Sequence, residues 1–284
     1  MMDTIRRFLF EDLDIRGAVV RLGPAWQGMQ ARRGYGVVER NLLGELTAVT
    51  TLIGNNLKQP GRISFQVQGH GPVRMLVVDC DEQLRLRGMA KTETAVAPAP
   101  LAHLFGDGQL VLTLQTNAAA ERPYQSVVPL EGTTLAAVFE HYLAQSEQTP
   151  TRLWLAANEN TASGLFLQKL PAADERDPDG WNRVTQLAAT VEDAELALPA
   201  EILLARLFSE ETLRLFAPQP VSFHCPRDEE KVLNMLRTLG REEVADMLAE
   251  HDEIVIQDDI CNHEYRYDAE VLNHLFPTPS KMRH

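Results

Sequence analysis

The stretch "GRISFQVQGHGPVRMLVVDCDEQLRLRGMAK", residues 61–91, is where the fold is decided. Within it, residues 62–69, 73–81 and 83–91 alternate apolar and polar side chains with a period of two, the spacing of strands with one buried face. The "GHGP" of residues 69–72 reads as a tight turn, because glycine and proline supply the backbone angles a reversal needs. Successive strands joined by short turns form a β-meander, which implies an antiparallel sheet packed on one side.

Upstream of the meander, "LLGELTAVTTLIGNNL" (residues 42–57) places Leu42, Leu46, Val49 and Ile53 on one helical stripe, and "KQPGR" then turns the chain. Downstream, "GQLVLTLQT" and "YQSVVPL" continue the strand pattern. Residues 132–145 read as a helix with Leu135, Val138, Phe139 and Tyr142 on one face, and "TRLWLAAN" and "SGLFLQKL" add two strands. The expected class is α+β, with residues 1–171 forming an antiparallel-sheet domain with packed helices.

Composition changes at residues 171–182, "PAADERDPDGWN", where charge, proline and glycine replace any period. Residues 172–222 therefore read as a charged helical linker. It carries one helical stretch at "WNRVTQLAATVEDAELA" and another at "LPAEILLARLFSEE", where Pro199 suits a first turn, and it ends at the proline-broken "FAPQPVSF". Residues 223–284 read as a small C-terminal domain of two short helices, a strand pair and a final helix.

The chain has 284 residues and a formal net charge of −13, which argues against a nucleic-acid partner. The nearest basic pair, Arg32–Arg33, reads as a loop. No run approaches the ~18 apolar residues of a membrane span, and "MMDTIRRFLFEDLD" lacks the apolar core of a secretion signal. Three widely spaced cysteines do not make a secreted disulfide framework, so a cytoplasmic location is expected. No nucleophile elbow, phosphate loop, dinucleotide fingerprint or zinc-protease helix is present, and an enzyme is not expected. His70 reads as an exposed turn residue, His141 as a helix surface position, and Cys80 as a small buried hydrophobe in a strand.

Cys225 and Cys261 stand apart. Cys225, in "VSFHCPRDEE", precedes a helix that Asp228 can cap, with Val232, Leu233, Leu236 and Leu239 as its apolar stripe and Gly240 as its end. Cys261, in "IVIQDDICNHEY", lies in a turn between two short strands. A structural zinc takes four ligands, commonly as two short-spaced pairs, and each pair here has one cysteine.

The sequence resembles the redox-regulated heat-shock chaperones of about 33 kilodaltons, the heat shock protein 33 family. The likeness runs over nearly the whole chain: "RFLFEDLDIRG", "GRISFQVQGHGPVRMLVV", "LRLRGMAK", "ERPYQSVVPLEGTTLAAVFEHYLAQSEQTPTRLWL", "LPAEILLARLFSEE" and "VSFHC". It implies an ATP-independent holdase that binds unfolding proteins in oxidative or heat stress and dimerises when active. It also implies a helical linker that exposes client-binding surface. The candidates for that surface here are Ile202, Leu203, Leu207, Phe208, Leu213 and Phe216, with an adaptor lacking holdase activity as the alternative on the same fold.

The resemblance further implies a sensor in which C-x-C and, about thirty residues on, C-x-x-C place four thiolates on one zinc. Cys225 matches the first ligand and Cys261 the fourth, while Arg227 and Asp258 stand where the second and third belong. No cofactor is therefore expected, zinc being possible as the family's metal with two of its four cysteine ligands missing; its candidate ligands are Cys225, Cys261, Asp258 and His263 (or His224). Four thiolates on zinc can contribute on the order of 10–16 kcal/mol to folding a small module. An exposed Arg227–Asp258 ion pair, expected if the two positions converge, is worth only about 0–1 kcal/mol. Neither within-pair disulfide can form. A Cys225–Cys261 bond is the disulfide left to this module, and oxidation is expected to lock it rather than open it, by roughly 3–4 kcal/mol.

Overall fold

The computed structural model describes residues 2–31, 33–57, 60–93, 96–116 and 122–277. Arg32 and the first two residues of the "KQPGR" turn lie outside them. The chain forms two compact units, Met1–His224 and Cys225–His284.

In chain order the first unit contains β1 (Thr4–Phe10), β2 (Ile15–Leu22), α1 (Pro24–Gln30), α2 (Val37–Gly54), β3 (Gly61–Gln68), β4 (Val73–Asp81) and β5 (Arg85–Thr92). It continues with α3 (Leu101–Phe105), β6 (Gln109–Thr116), β7 (Tyr124–Val128), α4 (Leu135–Ser146), β8 (Thr151–Ala157) and β9 (Ala162–Lys169). Then follow α5 (Ala173–Arg176), α6 (Gly180–Ala188), a 3₁₀ turn (Glu195–Ala197), α7 (Ala200–Leu207), β10 (Leu213–Leu215), β11 (Gln219–Pro220) and β12 (Ser222–Phe223). The class is α+β, as expected. The meander forms as read: β3 pairs β4 and β4 pairs β5, both antiparallel, within a second sheet ordered β12-β5-β4-β3-β6-β7. The first sheet runs β10-β1-β2-β9-β8, with β11 also on β1.

Helix α2 packs against both sheets and is buried on every side rather than along one stripe: Leu43, Leu46, Thr47, Thr50 and Leu52 are all inaccessible. Its threonines tolerate burial because each hydroxyl donates to the carbonyl one turn back, Thr47 to Leu43, Thr50 to Leu46 and Thr51 to Thr47, at 2.6–2.7 Å. Gly44 lets the helix approach β8 closely: a Cβ there would stand 2.3 Å from that of Ala157.

Both faces of the first sheet are apolar. One, with Ala18, Val20 and Phe166, packs with α2; the other carries Phe8, Phe10, Ile15, Val19, Leu165 and Leu167. The second face is covered by Ala173, Val184, Ala188, Leu196, Leu203, Leu204, Leu207 and Phe208. Residues 172–222, whose composition reads as a linker, thus lie within the first unit, because an uncovered apolar sheet face would sit in water. The helix over residues 181–197 is not continuous. It stops at Ala188, Thr190 turns its hydroxyl to Leu187 O, and the Glu195 carboxylate takes the Glu192 N–H.

The second unit contains α8 (Glu229–Leu239), α9 (Arg241–His251), β13 (Ile254–Gln257), β14 (Glu264–Tyr267) and α10 (Glu270–Leu275). Its core is Leu236, Val244, Leu248, Ile254, Val271 and Leu275. Leu239, placed on the α8 stripe by its spacing, is 49% exposed.

Candidate functional site

Cys225 and Cys261 are brought together. Cys225 stands just before α8, whose N-terminus Asp228 caps by accepting the Lys231 N–H at 3.0 Å. Cys261 lies in the β13–β14 turn, which Asp258 shapes: its Oδ1 accepts the N–H groups of Ile260 and Cys261 at 2.9 and 3.2 Å. The cysteines form a disulfide with a Cα–Cα distance of 5.6 Å, inside the usual range. Both residues are half-buried.

Arg227 and Asp258 do not bond each other. The Arg227 guanidinium donates to Glu264 O at 2.6 Å and lies 4.6 Å from the Tyr265 ring centroid, as a cation over an aromatic face. The Tyr265 hydroxyl accepts the Asp228 N–H at 3.0 Å. His263 donates from Nε2 to Cys225 O at 2.7 Å. Four interactions besides the disulfide therefore tie residues 225–228 to residues 263–265.

This donor set does not fit a four-coordinate zinc. The two sulfurs are bonded to each other, Asp258 Oδ1 serves its own turn, His263 Nε2 faces a carbonyl, and a permanent cation occupies one ligand position. Among the described residues no group of three or more His, Cys, Asp or Glu converges as a metal site. The third cysteine, Cys80, is fully buried; burial pushes its thiol up to about 12, helped by Asp81 and Asp79, so it stays protonated and unreactive.

The apolar candidates divide. Leu203, Leu207 and Phe208 are buried over the first sheet, Leu213 is half-buried in β10, and Ile202 and Phe216 are 54% and 41% exposed. Phe10 and Phe208 meet edge to face with centroids 4.9 Å apart. Ion pairs fasten this layer at its margins: Arg6 to Glu201, and Arg183 to Asp177 at 2.9 Å and Glu211 at 2.7 Å. One participant escaped the sequence reading. Glu45, a lone acid in an apolar stretch of α2, has its carboxyl pushed up to about 7 by burial first and by the charge of Asp193 second. Its signal was that isolation.

Among the described residues, no helix is long and apolar enough to cross a membrane. Residues 3–268 match the family model described as Hsp33 protein. The chain is 42% identical over 279 residues to a 33 kDa chaperonin of Methylobacillus flagellatus, covering 97% of this chain and 95% of that one. It is 40% identical over 276 residues to a 33 kDa chaperonin of Chromobacterium violaceum, covering 96% and 94%. Its fold is similar to the crystal structure of the 33 kDa chaperonin (heat shock protein 33 homolog) of Thermotoga maritima, with a TM-score of 0.78, 20% identity, and 96% and 97% of the two chains covered.

Proposed function

The chain belongs to the Hsp33 family, and from that premise we propose that it is an ATP-independent holdase chaperone that binds unfolding proteins during heat or oxidative stress. The observation that carries this reading is the layer of residues 172–208 over the second face of the first sheet. That face is a contiguous apolar surface that includes two phenylalanines, and the elements covering it are short, α6 having nine residues and α7 eight. Helices of that length are marginal alone and rely on packing, so the layer can be released while the sheet and α2 stay folded. Release would present Phe8, Phe10, Ile15, Val19, Leu165 and Leu167 to an unfolding chain, an apolar patch suited to client binding.

The expected outcome is suppression of light scattering by a thermally unfolding client, without added nucleotide, at near-equimolar chaperone. No suppression in reduced, oxidised or pre-heated protein would favour the adaptor reading instead. Dimerisation of the active form and a cytoplasmic site of action belong to the same proposal; sedimentation of the client-competent state tests the first.

The zinc-thiolate switch implied by the resemblance is not part of this proposal, because the residues present do not suit the metal. Reduced and dialysed protein is expected to carry well under one zinc per chain by metal analysis. A tightly held equivalent would show that the carboxylate and imidazole rearrange into ligands after all.

A further inference from the structure

The contacts that join residues 225–228 to residues 263–265 are individually weak. Arg227, Asp228 and Glu264 are exposed, so the guanidinium–carbonyl bond and the cation–aromatic contact work against water. The apolar core reaches α8 through Leu236, with Leu233 only partly buried against it. Among the described residues, the covalent bond between Cys225 and Cys261, 36 residues apart, is therefore the strongest restraint at this end of α8. Both cysteines are half-buried rather than sealed, and Cys80 is inert, which confines thiol chemistry to this pair.

We infer that the Cys225–Cys261 bond is a reducible cross-link on which a dithiol reductant acts, so that reduction rather than oxidation loosens the C-terminal unit. One thiolate of the dithiol attacks a sulfur of the pair, breaking the S–S bond and forming a mixed disulfide. Its second thiolate then displaces the bound cysteine. The dithiol leaves as a disulfide, its two protons end on Cys225 and Cys261, and two electrons have passed to the chain. The opening of the C-terminal unit rests on the geometry alone and is independent of the holdase reading above.

Hydrogen exchange on the full chain, oxidised and after dithiothreitol, tests the inference. Amides of residues 229–275 are expected to exchange on the order of a hundredfold faster after reduction, while those of α2 do not change. Cys225→Ser is expected to exchange fast in both conditions, and Cys80→Ser to respond as the parent does. Equal exchange of residues 229–275 in the two conditions overturns the inference, as does peptide mapping that finds Cys80 in the disulfide. If exchange responds to reduction but client aggregation is never suppressed, the cross-link stands and the holdase reading falls.

Discussion

Phe208→Ala is expected to destabilise the layer over the first sheet by about 3–5 kcal/mol, the range for truncating a buried aromatic whose site cannot collapse. Phe208 is 2% exposed, meets Phe10 edge to face and lies 6.4 Å from Phe8. It also closes α7, its N–H donating to Leu204 O at 2.9 Å. Its ring thus holds the end of a two-turn helix onto the sheet face that the proposed function requires to be released. The variant should show an early thermal transition, stronger binding of an apolar dye, and client suppression at temperatures where the parent is silent. Ile202→Ala on the same helix is the control: at 54% exposure it should change stability by no more than about 0.5 kcal/mol. Equal effects of the two substitutions would mean that Phe208 does not anchor the layer.

Where a sheet is buried on one face the sequence announces it, and where it is buried on both it does not. Within residues 61–91, β3 is legible because its alternation survives into the structure, with Ile63, Phe65 and Val67 buried and Arg62 and Gln68 exposed, whereas β4 is buried on both faces from Leu76 to Cys80. In β1, "TIRRFLF", two arginines and then three apolar residues run together, because Ile5 packs with α2 while Phe8 and Phe10 pack under α7. Strands β10 to β12 are two or three residues long and carry Pro220 at a sheet edge, so no period exists to read.

At Cys225 and Cys261, the resemblance to the family's cysteine spacing marked both positions, but the ion pair expected between Arg227 and Asp258 does not form, each having another partner. The carboxylate finds backbone donors two and three residues ahead without closing any long loop, and the guanidinium takes a carbonyl, which no side-chain pattern encodes.

Glu45→Gln is expected to stabilise the N-terminal unit by about 2–3 kcal/mol at pH 8 and by little at pH 4.5. Glu45 makes no hydrogen bond or ion pair with any described residue, and its carboxyl is raised from 4.5 to about 7 by burial and, second, by Asp193. The folded state therefore keeps a proton that the unfolded chain releases near 4.5. Between those values folding binds protons, so stability falls as pH rises from about 4.5 to about 7 and is level beyond. Glutamine cannot ionise, so the gap between variant and parent should open over that same interval. Asp193→Asn should recover only the smaller share, because desolvation is the larger cause. Asp193 is exposed and lies between α6 and the 3₁₀ turn, in the chain segment that covers the first sheet, so the repulsion at neutral pH bears on the very segment whose release is proposed to expose client surface. Urea melts of parent, Glu45→Gln and Asp193→Asn from pH 4.5 to 8 check this. Parallel pH profiles for Glu45→Gln and parent would remove the buried carboxylate from the account of why the layer is easily lost.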